Sequence, residues 1–324
     1  MSGFPARAAT RICFAHVAYQ MLEQFALRKT GIEAFQVRDR AALDAQIGGA
    51  DVLVVSGLWR NDLLSIAPRL KFIQSIGAGT DQFDRAALSA KGIRLASASG
   101  VNARAVSEHA MSLILALARR LPEARDNQRE KLWRGMIGDL TLREDELGGK
   151  TLVVVGIARI GGRLVKLAKA FDMHVIGVRQ NPGAGANGAD EVFGLADLPA
   201  LLPRADFVAL TCPLTPQTEG VIGAAALAAM KKSAFLVNCA RGRCVDETAL
   251  AAALQAGRIA GAGIDVTYDE PLGAGSPLWG LKNAFITPHT AGETRRYEDN
   301  VLDILMENLE KLWSGQVELR NQVI

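Results

Sequence analysis

The sequence predicts an α/β protein built from two successive parallel-sheet units. Three observations carry this. Short apolar runs alternate with helix-patterned stretches over residues 11–100. The alternation restarts at Lys150, after a long apolar helix and a charged segment. A glycine loop of the kind that joins a strand to a helix occupies residues 156–161. Strands separated by helices do not form hairpins; they pair in parallel, with helices covering both faces of the sheet.

In the first unit, residues 12–14, 32–37, 52–56, 72–75 and 93–96 read as strands, with helices over 19–29, 41–47 and 86–90. Residues 103–120 read as one long helix. Met111, Leu113, Ile114, Leu115 and Leu117 leave it little polar face, so it is expected to be buried. Residues 123–146 are charged and contain Trp133; they read as a solvated face, with packing against a partner subunit as the alternative. The second unit places strands at 151–156, 174–179, 207–211, 234–238, 263–265 and 284–287, with a helix over 160–171. A Gly/Ala/Asn loop spans 181–188, and a last helix spans 296–313.

The chain has 324 residues, enough for two domains of about 150 each. Its 49% hydrophobic and 22% charged residues exclude a disordered chain. A net charge of +3 calls for neither a nucleic-acid nor a membrane partner. Cys13, Cys212, Cys239 and Cys244 form no CxxC pair, and no His/Cys group has zinc-ligand spacing. They read as reduced thiols, no metal is expected, and the expected location is cytoplasmic. No apolar run approaches the ~18–20 residues of a membrane span. Arg7 and Arg11, with no acid before Glu23, keep a transit peptide as the alternative.

The loop Gly156-Ile-Ala158-Arg159-Ile160-Gly161 is G-x-A-x-x-G between a strand and a helix. In this pattern the first glycine makes the turn, and the middle position lets backbone approach a pyrophosphate. The helix-start amides then face an anion. Ala158 replaces the middle glycine, adding a methyl where the phosphates would come. The second strand ends at Val178-Arg179-Gln180, 23 residues beyond Gly156 for the arginine, where NAD-binding chains carry an acid for the ribose hydroxyls. Arg179 instead suits a 2′-phosphate, with Gln180 and Asn181 adding hydrogen bonds, which favours NADP over NAD.

Of four histidines, His174 reads as structural, His109 as a helix-start residue, and His16 is ambiguous. His289 differs: it follows a strand in Thr-Pro-His-Thr-Ala-Gly, at the carboxyl edge where open α/β sheets bind ligands. Arg241, in Asn238–Glu247, and Glu270, in Asp265–Pro271, follow neighbouring strands to the same edge. A histidine paired with a carboxylate is a tuned general acid, and an arginine binds a carboxylate or polarises a carbonyl.

Taken with residues 147–161, 212–218, 75–81 and 100–109, these segments resemble the D-isomer-specific 2-hydroxyacid dehydrogenase family in order and over nearly the whole chain. The resemblance implies two parallel-sheet domains, Rossmann-like and flavodoxin-like, with a cleft between them. The substrate domain would be discontinuous, 1–101 completed by 291–324, and the dinucleotide domain would span 102–290. It implies that Arg241 holds the substrate carboxylate and carbonyl, that His289 moves the proton, and that Glu270 stabilises its imidazolium. The amides of Ala78 and Gly79 would bind the substrate carboxylate. Asp265 and the backbone at Cys239 and Ala240 would hold the nicotinamide carboxamide. Val106 would pack on the ring, and Cys212, Pro213 and Thr218 would line the cofactor cleft. Leu58 and Trp59 either set the substrate pocket or pack in the core. The implied activity is NADP(H)-dependent reduction of a small 2-keto acid to the D-2-hydroxy acid, as in glyoxylate/hydroxypyruvate reductases, by a homodimer. A phosphite-type dehydrogenase and a dinucleotide-sensing corepressor-like protein are the alternatives.

Overall fold

The computed structural model describes residues 3–324. It divides into two compact units. The first comprises the described residues through Asn102 together with Thr294–Ile324. Its strands are β1 (Arg11–Ala15), β2 (Glu33–Val37), β3 (Val52–Val55), β4 (Phe72–Ser75) and β5 (Arg94–Ala96). Helices α1 (Met21–Leu27), α2 (Arg40–Gln46) and α3 (Arg85–Ala90) lie between them. All pairings are parallel, in the order β2-β1-β3-β4-β5, the flavodoxin-like arrangement. β1, β3 and β4 are buried almost throughout; β3 is an unbroken apolar run, whereas β4 also buries Gln74 and Ser75. Asp39 and Asp84 cap α2 and α3 by accepting from Ala42 N and Ala87 N, which fixes where those helices start.

The second unit is Ala103–Glu293. It opens with α4 (Ala103–Ala118) and α5 (Leu121–Arg129). There follow β6 (Thr151–Val155), α6 (Arg159–Ala170), β7 (His174–Val178), β8 (Glu191–Phe193), α7 (Leu198–Leu201) and β9 (Phe207–Leu210). The unit ends with α8 (Ala224–Ala229), β10 (Phe235–Asn238), α9 (Glu247–Gln255), β11 (Gly261–Ile264) and β12 (Ala284–Ile286). The seven strands run parallel in the order β12-β11-β10-β9-β6-β7-β8. This is the Rossmann winding, and its order reverses between β6 and β9. One apolar cluster on this sheet contains Val153, Leu210, Leu236 and Ile264; a second contains Leu152, Val154, Val237 and the α4 residues Met111, Leu113 and Ile114. The expected burial of α4 is thus met on its sheet-facing side, while Glu108 and Ser112 face solvent.

The chain returns to the first unit with α10 (Tyr297–Trp313). Its Val301, Leu302, Leu305 and Leu309 pack with Ile12, Phe14 and Phe72. Strand β8 and helix α5 are absent from the sequence reading. Among the described residues no helix is long and apolar enough to cross a membrane, and no cluster of His, Cys, Asp or Glu could hold a metal ion.

Candidate active site

The carboxyl edge of the second sheet begins with the turn after β6. Gly156 has φ +100°, and a Cβ there would lie 2.6 Å from Cys212 N and Cα, so the loops after β6 and β9 touch across the switch point. Only glycine allows both. Ala158 is the exposed N-cap of α6, and no side chain caps that helix. With Arg159 and Ile160 forming the first turn, the open helix-start amides suit a phosphate.

Three adjacent parallel strands supply the rest. After β10, buried Asn238 shapes the turn: its Oδ1 accepts from Ala240 N (3.0 Å) and its Nδ2 donates to Arg241 O (3.0 Å). Cys239 and Ala240 are buried, whereas Arg241 is exposed and makes no ion pair among the described residues. Its Nη1 donates to Ala240 O (2.7 Å). Gly242 lies against the segment after β11, and a Cβ would meet Thr267 O at 1.9 Å. From that segment Glu270 receives Thr267 N on Oε1 (3.2 Å) and places Oε2 2.7 Å from His289 Nδ1. The two side chains are 39% and 48% exposed. His289 has φ +54°, a left-handed conformation costly for a non-glycine residue. Its amide donates to Asp265 O (2.8 Å) and Thr287 O (3.0 Å), which holds it there.

Asp265, 2% exposed, anchors this turn. Its Oδ1 accepts from the Thr287 hydroxyl (2.6 Å) and Thr290 N (3.1 Å), and Ala291 N reaches Oδ1 and Oδ2 (3.3 and 3.2 Å). His109 Nε2 stands 2.9 Å from Thr287 Oγ1 and 3.4 Å from Asp265 Oδ1. The reading of His109 as a mere helix-start residue is therefore corrected. Its partner lies 178 residues away, and nothing in the local pattern signals it.

Arg179 is half-buried at the end of β7, donating to Ala184 O (3.1 Å) and Gly185 O (2.7 Å). Gln180 is exposed, and Asn181 accepts from Gly183 N (3.1 Å). Thr218 directs its hydroxyl to Pro213 O (2.7 Å), folding the 213–218 loop, whose Pro213 is exposed. Burial pushes the Cys239 thiol up. All four cysteines are free. The hydrogen bond between the Cys212 and Cys244 thiols lowers Cys244 to about 7 and raises Cys212. Val106 sits in the α4 cluster with Val237 and Cys239.

In the first unit, Leu58 and Trp59 belong to the core cluster; Trp59 is 5% exposed, lies 5.1 Å from the Phe83 ring and donates to Asn61 Oδ1 (2.9 Å). Both side chains are packed in that core. Ala78 and Gly79 follow β4 with no acceptor for their amides among the described residues.

The family model for the D-isomer specific 2-hydroxyacid dehydrogenase NAD binding domain matches residues 111–291. The chain belongs to this family. This D-isomer specific 2-hydroxyacid dehydrogenase family member is 38% identical over 274 residues to the D-3-phosphoglycerate dehydrogenase of Methanocaldococcus jannaschii, covering 84% of this chain and 51% of that protein. It thus spans about half the length of those curated relatives. It is also 38% identical over 260 residues to the glyoxylate/hydroxypyruvate reductase B of Yersinia pestis, covering 79% of this chain and 78% of that protein. An NADPH-dependent glyoxylate/hydroxypyruvate reductase from Sinorhizobium meliloti, solved with NADP and malonate, superposes with a TM-score of 0.80 at 27% identity, over 97% of each chain.

Proposed function

We propose that this protein is an NADP(H)-dependent reductase of a small 2-keto acid, of the glyoxylate/hydroxypyruvate type, yielding the D-2-hydroxy acid. The observation that carries the reading is the 2.7 Å His289–Glu270 pair on the same sheet edge as an arginine without an ion pair. The uncapped α6 start and the Gly156–Cys212 approach suit a dinucleotide pyrophosphate. When bound, the dinucleotide supplies the hydride to the keto carbon. Arg241 offers its guanidinium donors to the substrate carboxylate and the carbonyl oxygen, where charge develops. His289 gives one proton to that oxygen from Nε2 while Glu270 holds Nδ1; in the oxidative direction His289 takes the proton back. Val106, Cys239 and Ala240 form the apolar surroundings of the transfer. Asp265 retains acceptor capacity on Oδ2 for the carboxamide. The amides of Ala78 and Gly79 are donors suited to a substrate carboxylate.

NADP preference rests on Arg179. No Asp or Glu occurs from residue 179 to 185, and among the described residues the guanidinium is held by two backbone carbonyls. The Sinorhizobium meliloti reductase is named as NADPH-dependent, which supports the same preference. The test follows nicotinamide absorbance with NADPH and NADH against glyoxylate, hydroxypyruvate, pyruvate, phenylpyruvate and 2-ketoisocaproate, and with NADP⁺ or NAD⁺ against 3-phosphoglycerate and phosphite. Turnover of glyoxylate or hydroxypyruvate with NADPH is expected. Preferential oxidation of 3-phosphoglycerate or phosphite, or cofactor binding without any turnover, overturns it. Arg179→Asp should lower the NADPH/NADH ratio of kcat/KM by at least about tenfold, since a lost charge-assisted contact is worth about 1.5–3 kcal/mol.

A further inference from the structure

We infer that His109 is a positioning residue, which through Thr287 fixes the Asp265 carboxylate and the turn that carries His289. The inference rests on the proposed function above for its catalytic consequence, and on geometry alone for the relay itself. The Thr287 hydroxyl has one proton and lies between two partners, Asp265 Oδ1 at 2.6 Å and His109 Nε2 at 2.9 Å. An ionised carboxylate only accepts, so the hydroxyl donates to Asp265. Its oxygen must then accept from His109, which sets the proton of the imidazole on Nε2. The direction of the whole chain is thereby determined: His109 Nε2–H to Thr287, and Thr287 O–H to Asp265. His109 also stands 3.4 Å from Asp265 Oδ1, so its N–H dipole adds to the donors around a nearly inaccessible carboxylate.

The relay matters because of what else Asp265 holds. Its carboxylate receives Thr290 N and Ala291 N, and its carbonyl receives His289 N. These bonds bracket a histidine in left-handed backbone geometry, which persists only where its surroundings enforce it. Without the His109 bond, the Thr287 oxygen loses its donor from α4 and the side chain is held only through Asp265. Asp265 and Thr287 then lose their tie to α4, and the His289 turn loosens. His109 reaches this point from α4, outside the strand-end loops, so it acts on the reaction without needing to touch the substrate.

The experiment pairs NMR with kinetics on the full-length protein. In the ¹⁵N-histidine spectrum, the resonance missing from His109→Leu should show the Nε2–H tautomer; the Nδ1–H tautomer overturns the relay whether or not the protein turns over a keto acid. In keto-acid reduction, His109→Leu should lower kcat about tenfold and leave the substrate KM within about twofold, since misplacement of about 1 Å can cost ~10²-fold and this loosening is partial. Thr287→Val should match it, and the double variant should be no worse than either single one. His109→Gln, whose Nε2 can donate in the same place, should restore most of kcat. Wild-type kcat in His109→Leu, additive losses in the double variant, or no rescue by Gln would each overturn the inference. Absence of turnover in the wild type refutes the proposed function instead, and leaves the tautomer to decide the relay.

Discussion

The pair His289–Glu270 shows how one contact orients a proton. With Glu270 Oε2 on Nδ1, the imidazole has a fixed rotation and its Nε2 points away from the pair. Under the proposed mechanism Glu270→Gln weakens this hold and lowers kcat/KM of keto-acid reduction about tenfold or more, since a charge-assisted hydrogen bond is worth about 1.5–3 kcal/mol. An unchanged kcat/KM in that variant removes Glu270 from the mechanism. His16 makes a separate prediction, for stability. Its Nδ1 accepts from Ala18 N (3.1 Å) and Tyr19 N (2.9 Å), and burial, the largest influence, lowers its pKa from 6.5, with Arg38 acting the same way and Glu298 opposing. Between the unfolded and folded values the unfolded chain binds more protons, so stability is complete above 6.5 and falls as pH drops toward the lowered folded value. His16→Asn keeps an acceptor without the titration. Urea midpoints measured between about pH 7.5 and about pH 5 should fall less in that variant than in the wild type.

Whole elements place these residues because parallel strands end together. β10, β11 and β12 are neighbours in register, so Asn238, Ile264 and Ile286 finish at one edge and the segments beyond them meet. Gly242 is where the meeting is tightest. Its Cβ would sit 1.9 Å from Thr267 O, a backbone atom that cannot swing aside. Gly242→Ala should cost about 1–3 kcal/mol as overpacking, roughly 2–4 °C in Tm per kcal/mol for a unit of this size. It should also lower kcat/KM by separating the Arg241 and Glu270 segments. Gly273→Ala, with nothing within 4 Å, is the control and should leave Tm unchanged. Equal melting of the two variants would show that the approach is not tight. The same logic explains what could be read from the sequence. Buried strands such as β3 and β6 are continuous apolar runs bounded by turn residues, and they stand out. β8 does not: it has three half-buried residues at the sheet edge, beside the Gly/Ala/Asn loop. α5 has no buried residue and therefore no apolar stripe to betray it. Arg241, Glu270 and His289 were legible because each closes a strand within a recognisable motif. His109 was not, because its meaning depends on a threonine from the far end of the unit. Trp59 was ambiguous because bulk and apolarity suit a pocket wall and a core equally well.

At the scale of the whole molecule, the segment after α4 is the part whose surface does not fit an isolated chain. Leu132, Trp133, Met136, Leu140 and Leu142 lie within eleven residues and are all more than half exposed, Trp133 at 97%. Clustered exposure of this kind marks an interaction surface. Residues 121–142 carry four basic and four acidic side chains, and of the charges here Arg134 pairs with Glu144, Arg120 with Glu123 and Asp145 with Lys150. A surface that is apolar and without net charge suits another copy of itself, through an isologous two-fold contact in which each segment meets its counterpart. Homodimerisation through residues 121–142 is accordingly the expected assembly. Light scattering coupled to size exclusion should give twice the chain mass of 34.5 kDa for the wild type. Trp133→Asp combined with Met136→Asp should reduce it to a single chain mass, with the circular dichroism spectrum unchanged because neither side chain contributes to either core. Dimers that persist in the double variant would place the interface elsewhere. A wild type that elutes as a monomer at micromolar concentration would overturn this assembly.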